Sequence, residues 1–308
     1  MPYENCYMKF KLIKKEDYNI LLPYYISLKK ALADLNAMMM LAWQEVLNLS
    51  YAIDHDDILY VIGEFEGVTW GWGPPLGNSV KEKHIYNLMH ILQQRNSTHK
   101  PAIRYVWKEY PLFNKLKSSS KLWNISSQTN EYIYDCKVSA NLTGDKLKKL
   151  RKEKNRFERH YKPQVIPYSL SLKDHCLQVL NLWYKQKSKK LLPEYRDKFE
   201  LESQVCYRAL REGLSLEGVV IYVGREAQAF SLGSTHCFNC FNCMFEKSNL
   251  LMNGLSSYVF SALGEYCLPN FKEINAGEDW GVDYLASTKK KWYPVRIQQS
   301  FILSGAEQ

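Results

Sequence analysis

Hydrophobic positions along this chain repeat with two different periods, and the switches between them outline its elements. A strand-like run from Tyr7 to Ile13 comes first, and a long helical stretch follows from about Ser27 to Val46. Strand-like segments then recur at Ala52 to Ile53 and Ile58 to Glu64. The Gly and Pro residues of Trp70-Gly-Trp-Gly-Pro-Pro-Leu-Gly77 force a loop, after which a helix is expected from Val80 to Gln94. Pro101 to Asn124 continues helix and strand, and the polar run Asn124 to Asn130 reads as a linker.

The remainder opens with strand-like Glu131 to Tyr134. Thr143-Gly144-Asp145 signals a cap ahead of a basic helix that Pro163 and Pro167 end. A helix from Lys173 to Lys189 carries Leu177, Leu180 and Trp183 on one face, so Trp183 is expected in the core. A further helix spans Phe199 to Glu212. Leu216 to Val223 and Glu226 to Leu232 flank the two-residue turn Gly224-Arg225 as a β-hairpin. A strand at Cys243 to Lys247, a helix from Asn253 to Cys267 and a strand from Phe271 to Ile274 follow. Val282 to Lys290 then reads as a short helix that Pro294 stops before the β-rich tail Val295 to Leu303. This interleaving is α/β in character, of the α+β kind. A chain of 308 residues suggests two domains, expected at 1–125 and 126–308.

Composition narrows the class. With 46% hydrophobic and 24% charged residues the chain is globular, and its longest strictly apolar run, Ala37 to Trp43, falls far short of the roughly 18 residues that cross a bilayer. The first residues lack the order of a signal peptide, so a cytoplasmic address is expected, with a peripheral position at the inner membrane surface as a variant of it. The eight cysteines are then expected as reduced thiols. The net charge of +9 is concentrated between Gly144 and Lys162, where nine Lys/Arg face three acids. An anionic partner suits that helix, with phosphates as the obvious candidates.

Two stretches carry candidate chemistry. His236-Cys237-Phe-Asn-Cys240-Phe-Asn-Cys243 has the spacing of a metal knuckle, with Cys237, Cys240 and Cys243 as ligands, against the alternative of a loop of reduced thiols that joins two strands. Ile274 to Pro294 gathers acids near a helix N-terminus and lysines near its C-terminus, which suits either a capped surface helix or a site. No Ser/His/Asp or Cys/His relay is visible among the seven histidines, and no G-x-G-x-x-G or Walker sequence occurs, so no cofactor is expected.

Five segments, in order, resemble the soluble C-terminal domain of phosphatidylglycerol lysyltransferases and its free-standing relatives. The basic helix resembles that family's pattern through Leu142, Gly144, Lys146, Arg151, Asn155, Arg156, Phe157 and Tyr161. The hairpin does so through Gly218, Gly224, Ala229, Phe230 and Gly233. Met244-Phe-Glu-Lys-Ser-Asn249 is similar to the segment that follows, and Asn275, Asp279, Gly281, Lys289 and Pro294 are similar to the family's last motif; upstream, Pro74 to Gly77 also fits. The resemblance implies two tandem GNAT-like units that share a cleft. It further implies an aminoacyl-tRNA donor and an acceptor hydroxyl or amine, on an anionic lipid head group or a small molecule. Two departures stand out: no membrane span accompanies the domain, and Ala286 occupies a position where the family usually has Arg.

Aminoacyl transfer from an ester needs a positive or hydrogen-bonding group for the developing oxyanion and a base for the attacking group. On this resemblance Lys289 takes the first role, Asp279 orients it or accepts the proton, and Glu246 is a second candidate base. Glu278 or Asp283 would hold the amino acid's α-ammonium. Arg151, Asn155 and Arg156 would line the acceptor or the tRNA terminus, and Lys247 and Asn275 would bind substrate beside them. Two other readings remain: an acyl-CoA N-acyltransferase, weakened by Val68 and its neighbours lacking the usual pyrophosphate-loop Gln or Arg, and a non-catalytic RNA- or anionic-surface-binding module.

Overall fold

The structure, a computed structural model, describes residues 8–306, so Tyr7, where the first expected strand begins, lies outside the described residues. The chain divides into two compact units. The first runs to Thr129 and recovers the segment from Gln299 onward, and the second comprises Asn130–Gln298. The tail thus groups with the first unit, because its strand pairs there, whereas the sequence assigned it to the second portion.

In the first unit the elements are β1 (Lys11–Leu12), α1 (Tyr18–Ile26), α2 (Ala37–Leu47), β2 (Ser50–Ile53), β3 (Leu59–Phe65), β4 (Val68–Trp72), α3 (Glu82–Arg95), β5 (Ala102–Trp107) and α4 (Phe113–Ser118). Strands β1 to β4 form an antiparallel meander, α3 crosses over, and β5 lies parallel to β4. The expected helix from Ser27 to Val46 is corrected. Asn36 caps α2 by accepting from the backbone N–H groups of Met38 and Met39 at 2.9 and 3.0 Å, so the helix starts at Ala37. The apolar residues before it, Leu32 and Leu35, are buried in irregular chain, and the apolar content alone had read as helix.

The second unit repeats the scheme. Its elements are β6 (Trp123–Asp135), which starts in the first unit, then α5 (Cys136–Asn141), α6 (Lys148–Tyr161), β7 (Gln164–Pro167), α7 (Lys173–Ser188), α8 (Pro193–Arg211), β8 (Glu217–Val223), β9 (Glu226–Thr235), β10 (Cys240–Ser248), α9 (Leu255–Cys267), β11 (Glu273–Glu278) and α10 (Asp283–Lys290). The last strand, β12 (Arg296–Gly305), pairs antiparallel with β5 of the first unit over Ser300 to Ser304. Strands β7 to β10 form the meander, α9 crosses over, and β11 runs parallel to β10 with β6 antiparallel on its far side. An antiparallel meander, a crossover helix and one parallel pair, present twice, make up a mixed α/β fold.

The expected linker at Asn124 to Asn130 is also corrected, because β6 runs straight through it. Its polar side chains take on backbone duty: the Tyr105 N–H donates to Gln128 Oε1 at 2.9 Å, and the Thr129 N–H to Ser300 Oγ at 3.1 Å. Polarity there marks side-chain pairing, not a flexible tether.

The second unit's core fills the space between its sheet and α9. Tyr132, Tyr134, Phe241, Ile274 and most of α9 are buried in it, and the basic helix α6 joins through Phe157, whose ring centroid lies 5.3 Å from that of Tyr258. Phe157 is the sole fully buried residue of α6; Lys148, Lys149, Lys152, Arg156 and Arg159 keep the solvent side, whereas Lys154 turns inward to Glu265 at 2.9 Å. Trp183 is buried as expected. No helix of the described residues is long and apolar enough to cross a membrane.

Strands β9 and β10 approach so closely that a Cβ at Gly233 would stand 1.8 Å from the Asn242 carbonyl oxygen. Gly233→Ala should therefore cost roughly 2–4 kcal/mol, read as a lower urea midpoint. Gly224→Ala, whose Cβ would meet nothing within 4 Å, should cost only about 1 kcal/mol for its left-handed backbone.

Candidate active site

Strand alternation decides which side chains of β10 can meet. Between Cys243 and Phe245 the β9/β10 register slips: Cys243 lies opposite Gly233, yet Phe245 lies opposite Leu232 and Glu246 opposite Ser231. This bulge turns Cys243 and Glu246, three positions apart, onto the same face of the sheet. Ser231, fully buried on β9, touches both: its hydroxyl donates to Glu246 Oε2 at 3.4 Å and lies 3.3 Å from Cys243 Sγ.

The same face receives β11, β6 and α10. Past Asn275 the β11/β6 register also shifts, and Gly277 takes a left-handed backbone with φ of 67°. The carbonyls of Ala276 and Gly277 are thereby turned to the Lys289 ammonium, which donates to both, at 3.1 Å in the case of Gly277. Two of its three donors are spent in this way. Tyr132 lies beneath, its ring centroid 5.8 Å from Lys289 Nζ, and its hydroxyl donates to Asp279 Oδ2 at 2.6 Å. Asp279 is buried, and its other oxygen accepts from the Gly281 N–H at 3.0 Å. The Tyr134 hydroxyl donates to the Lys289 carbonyl at 2.8 Å, which fixes the end of α10 that carries the ammonium.

The electrostatics follow from dryness. Burial pushes the Glu246 carboxyl up to about 7, against the Ser231 hydroxyl and the charges of Lys247 and Lys289, which pull it down. Burial likewise lowers Lys289, against Cys243, Glu278, Glu131 and Asp279, all of which favour its charge. Cys243 is pushed up to about 12 by burial and by Glu246, so it is a neutral thiol at neutral pH. The carboxyl and the ammonium are thus shifted toward each other in one dry cluster, the pattern of an acid/base pair.

The other expected site residues fall elsewhere. Lys247, next to Glu246 in sequence, points to the opposite face, where its ammonium binds both Glu202 oxygens at 2.7 and 2.8 Å and stands 4.3 Å from the Trp183 ring. Asn275 donates to the buried Glu131 at 2.7 Å, and Gly277 N–H donates back to Asn275 at 2.9 Å, which shapes the bulge under Lys289. Glu278 is partly buried opposite Glu131 in register, and Asp283 is exposed on the first turn of α10. Arg151 binds the carbonyls of Leu142 and Gly144 in the chain leading to its own helix, the latter at 3.1 Å. Asn155 and Arg156 are exposed on α6.

The three candidate thiol ligands do not converge. Cys237 and Cys240 are buried together on one side, whereas Cys243 faces Ser231 and Glu246. Cys240 and Cys243 are an odd number of positions apart on a strand and so leave opposite faces. The knuckle arrangement does not form, and the three are free thiols. Among the described residues, the metal-compatible grouping is Asp54, Asp56 and His84. There His84 Nδ1 accepts from the Lys81 N–H at 2.8 Å and Asp56 is paired with Lys83, so local bonds occupy it. Sequence reasoning missed Tyr132, Ser231, Glu131 and Cys243 as members of the cluster. Tyr and Glu in Glu131-Tyr-Ile-Tyr134 read simply as strand, and nothing in the sequence brings Ser231 to Glu246.

The family model described as "Phosphatidylglycerol lysyltransferase, C-terminal" matches residues 31–304. A conserved protein of unknown function from Bacteroides thetaiotaomicron has a similar structure, with a TM-score of 0.84 at 19% identity over 97% of this chain and 99% of that one. L-PGS from Bacillus licheniformis is also similar, with a TM-score of 0.66 at 15% identity over 96% of this chain and 93% of its own. At these identities the likeness concerns fold. A comparison with curated protein sequences gave no match.

Glu246 titrates at about 7 in the fold against 4.5 for an ordinary glutamate. The fold thus binds more protons than the unfolded chain between these values, and this contribution to stability, complete below about 4.5, is lost as pH rises through 7. Glu246→Gln, permanently neutral, should therefore be more stable than the parent at pH 8, by about 1–3 kcal/mol, and equal to it near pH 4 in urea unfolding.

Proposed function

Because the chain belongs to the phosphatidylglycerol lysyltransferase C-terminal family, we propose that it is an aminoacyltransferase. It moves an amino acid from aminoacyl-tRNA to a hydroxyl or amine on a lipid head group or a small molecule. The observation that carries this reading is the Glu246 carboxyl, held near neutrality by burial on the same face as the Lys289 ammonium.

The reaction runs as follows on these residues. The donor is an ester, so an acceptor O–H or N–H attacks its carbonyl carbon, and Glu246 takes the proton as the bond forms. The carbonyl oxygen becomes an oxyanion, and the remaining N–H of Lys289, whose other two are tied to the bulge carbonyls, donates to it. Collapse of the tetrahedral intermediate expels the ribose oxygen of the tRNA, which takes up the proton from Glu246. No covalent enzyme intermediate is needed.

Asp279 and Glu278 supply negative charge around Lys289 and hold the α-ammonium of the incoming amino acid. Tyr132, bonded to Asp279 at 2.6 Å, fixes that carboxylate. The exposed cations of α6, Asn155 and Arg156 among its outward residues, follow the phosphates of the tRNA. Ala286 packs against the core at the position where the family usually has Arg, so α10 lacks one cation toward its substrates, and the preference for donor or acceptor differs from that of the lysyltransferases.

Purified protein given labelled aminoacyl-tRNA and an extract of lipids and small molecules should label one acceptor fraction, and RNase treatment should abolish this. Turnover of acyl-CoA without RNA would contradict the reading. Lys289→Ala should lower the rate about 10²-fold or more, and Glu246→Gln by about 10²–10⁴-fold. The pH profile should be a bell. Its acid limb lies at about 7, where Glu246 must lose its proton, and its alkaline limb lies below 10.5, where Lys289 must keep its own.

A further inference from the structure

A cavity belongs to the first unit and is lined by none of the residues discussed above as a reactive group. It has a volume of about 650 Å³ and opens where the end of β5, α4, the start of β6 and β12 come together. That size is typical of small-molecule sites.

Its walls divide by chemistry. Phe301, half-buried, gives it aromatic surface, whereas Trp123 lines it from a buried position with 6% of its surface exposed; each is held by another ring, with Tyr86 5.0 Å from Trp123 and Phe113 5.1 Å from Phe301, centroid to centroid. Lys108 and Lys117 add two ammonium groups, and Asn124 and Gln299 two amides. Among the described residues none of these four polar side chains has a hydrogen-bond or ion-pair partner, and no acid lines the cavity. Two uncompensated cations in a concave wall favour an anion. Unspent amides favour a ligand with donors and acceptors on its edge, because the same wall would be left unbonded against a hydrocarbon chain. Aromatic faces favour a planar body.

We propose that this cavity binds a nucleotide, its phosphate on Lys108 and Lys117, its base against Phe301 with the buried Trp123 close enough to report it, and its base edge on Asn124 and Gln299. Stacking on aromatic rings combined with phosphate contacts is how proteins hold single nucleotides. The ligand is either a free mononucleotide or one nucleotide of an RNA strand, and the site stands independently of the reaction proposed above.

The test uses the full chain and four probes: a mononucleotide, a short single-stranded oligoribonucleotide, inorganic phosphate and anionic lipid vesicles. Binding is followed by equilibrium dialysis and by tryptophan fluorescence, in the parent protein and in Lys108→Ala, Lys117→Ala, Trp123→Phe and Lys289→Ala. Circular dichroism checks that each variant is folded. The mononucleotide should bind saturably and more tightly than phosphate. Each of Lys108→Ala and Lys117→Ala should weaken it about tenfold or more, Trp123→Phe should remove the fluorescence response, and Lys289→Ala should change nothing. An oligoribonucleotide that binds more tightly than the mononucleotide, with the same dependence on the two lysines, identifies an RNA strand as the source; equal or weaker binding identifies a free nucleotide. Failure of both nucleotide probes to bind, nucleotide binding that ignores the lysine substitutions, or binding confined to phosphate or to vesicles would overturn the proposal.

Discussion

Exclusion of water from one face of the second unit's strands is the constraint on which the candidate site depends. Tyr132, Tyr134, Phe241, Ile274 and α9 fill that face, and the bulge in β10 turns Glu246 into it together with Cys243. A carboxyl and an ammonium placed there cannot keep their ordinary titration behaviour, because each loses hydration that no single partner restores. The two register shifts, in β10 and β11, are thus the structural origin of the chemistry: one aims the carboxyl, and the other supplies the carbonyls that hold Lys289. An unbroken ladder in β10 would send Glu246 to the other face, and one in β11 would keep its carbonyls in the plane of the sheet, away from Lys289.

Much of this order is legible in the sequence. The hairpin around Gly224-Arg225, the basic helix and the short helix before Pro294 follow from turn chemistry and caps, and the motif that contains Asp279 and Lys289 points to the cluster. What is not legible depends on the third dimension. Glu246 and Lys247 are neighbours in the chain, and only the pleat separates a reactive carboxyl from an ion pair with Glu202. Cys243 matches the spacing of a metal ligand, yet its strand position turns it from Cys240 toward Ser231. Arg151, expected to meet substrate, binds the Leu142 and Gly144 carbonyls in the chain leading to its own helix.

Errors in the reading of elements have a similar cause. The segment from Ser27 to Asn36 is apolar because it is buried, not because it is helical, and Asn124 to Asn130 is polar because its side chains stand in for backbone partners. Hydrophobicity reports environment first, and secondary structure only where a period is clear. The internal duplication is a case in point: the two meanders share connectivity, and yet candidate chemistry gathers on the second, while the first carries a cavity whose cations and rings suit a different kind of ligand.

The central claim is that burial holds the Glu246 carboxyl near neutrality beside a charged Lys289. The most direct measurement is a pH titration of the protein labelled with ¹³C at glutamate side-chain carboxyls, with the Glu246 resonance assigned by its loss in Glu246→Gln. The account predicts one carboxyl that titrates at about 7 and moves higher in Lys289→Ala, as a favourable positive charge is removed. A Glu246 signal that titrates near 4.5, the ordinary glutamate value, and ignores Lys289 would contradict it.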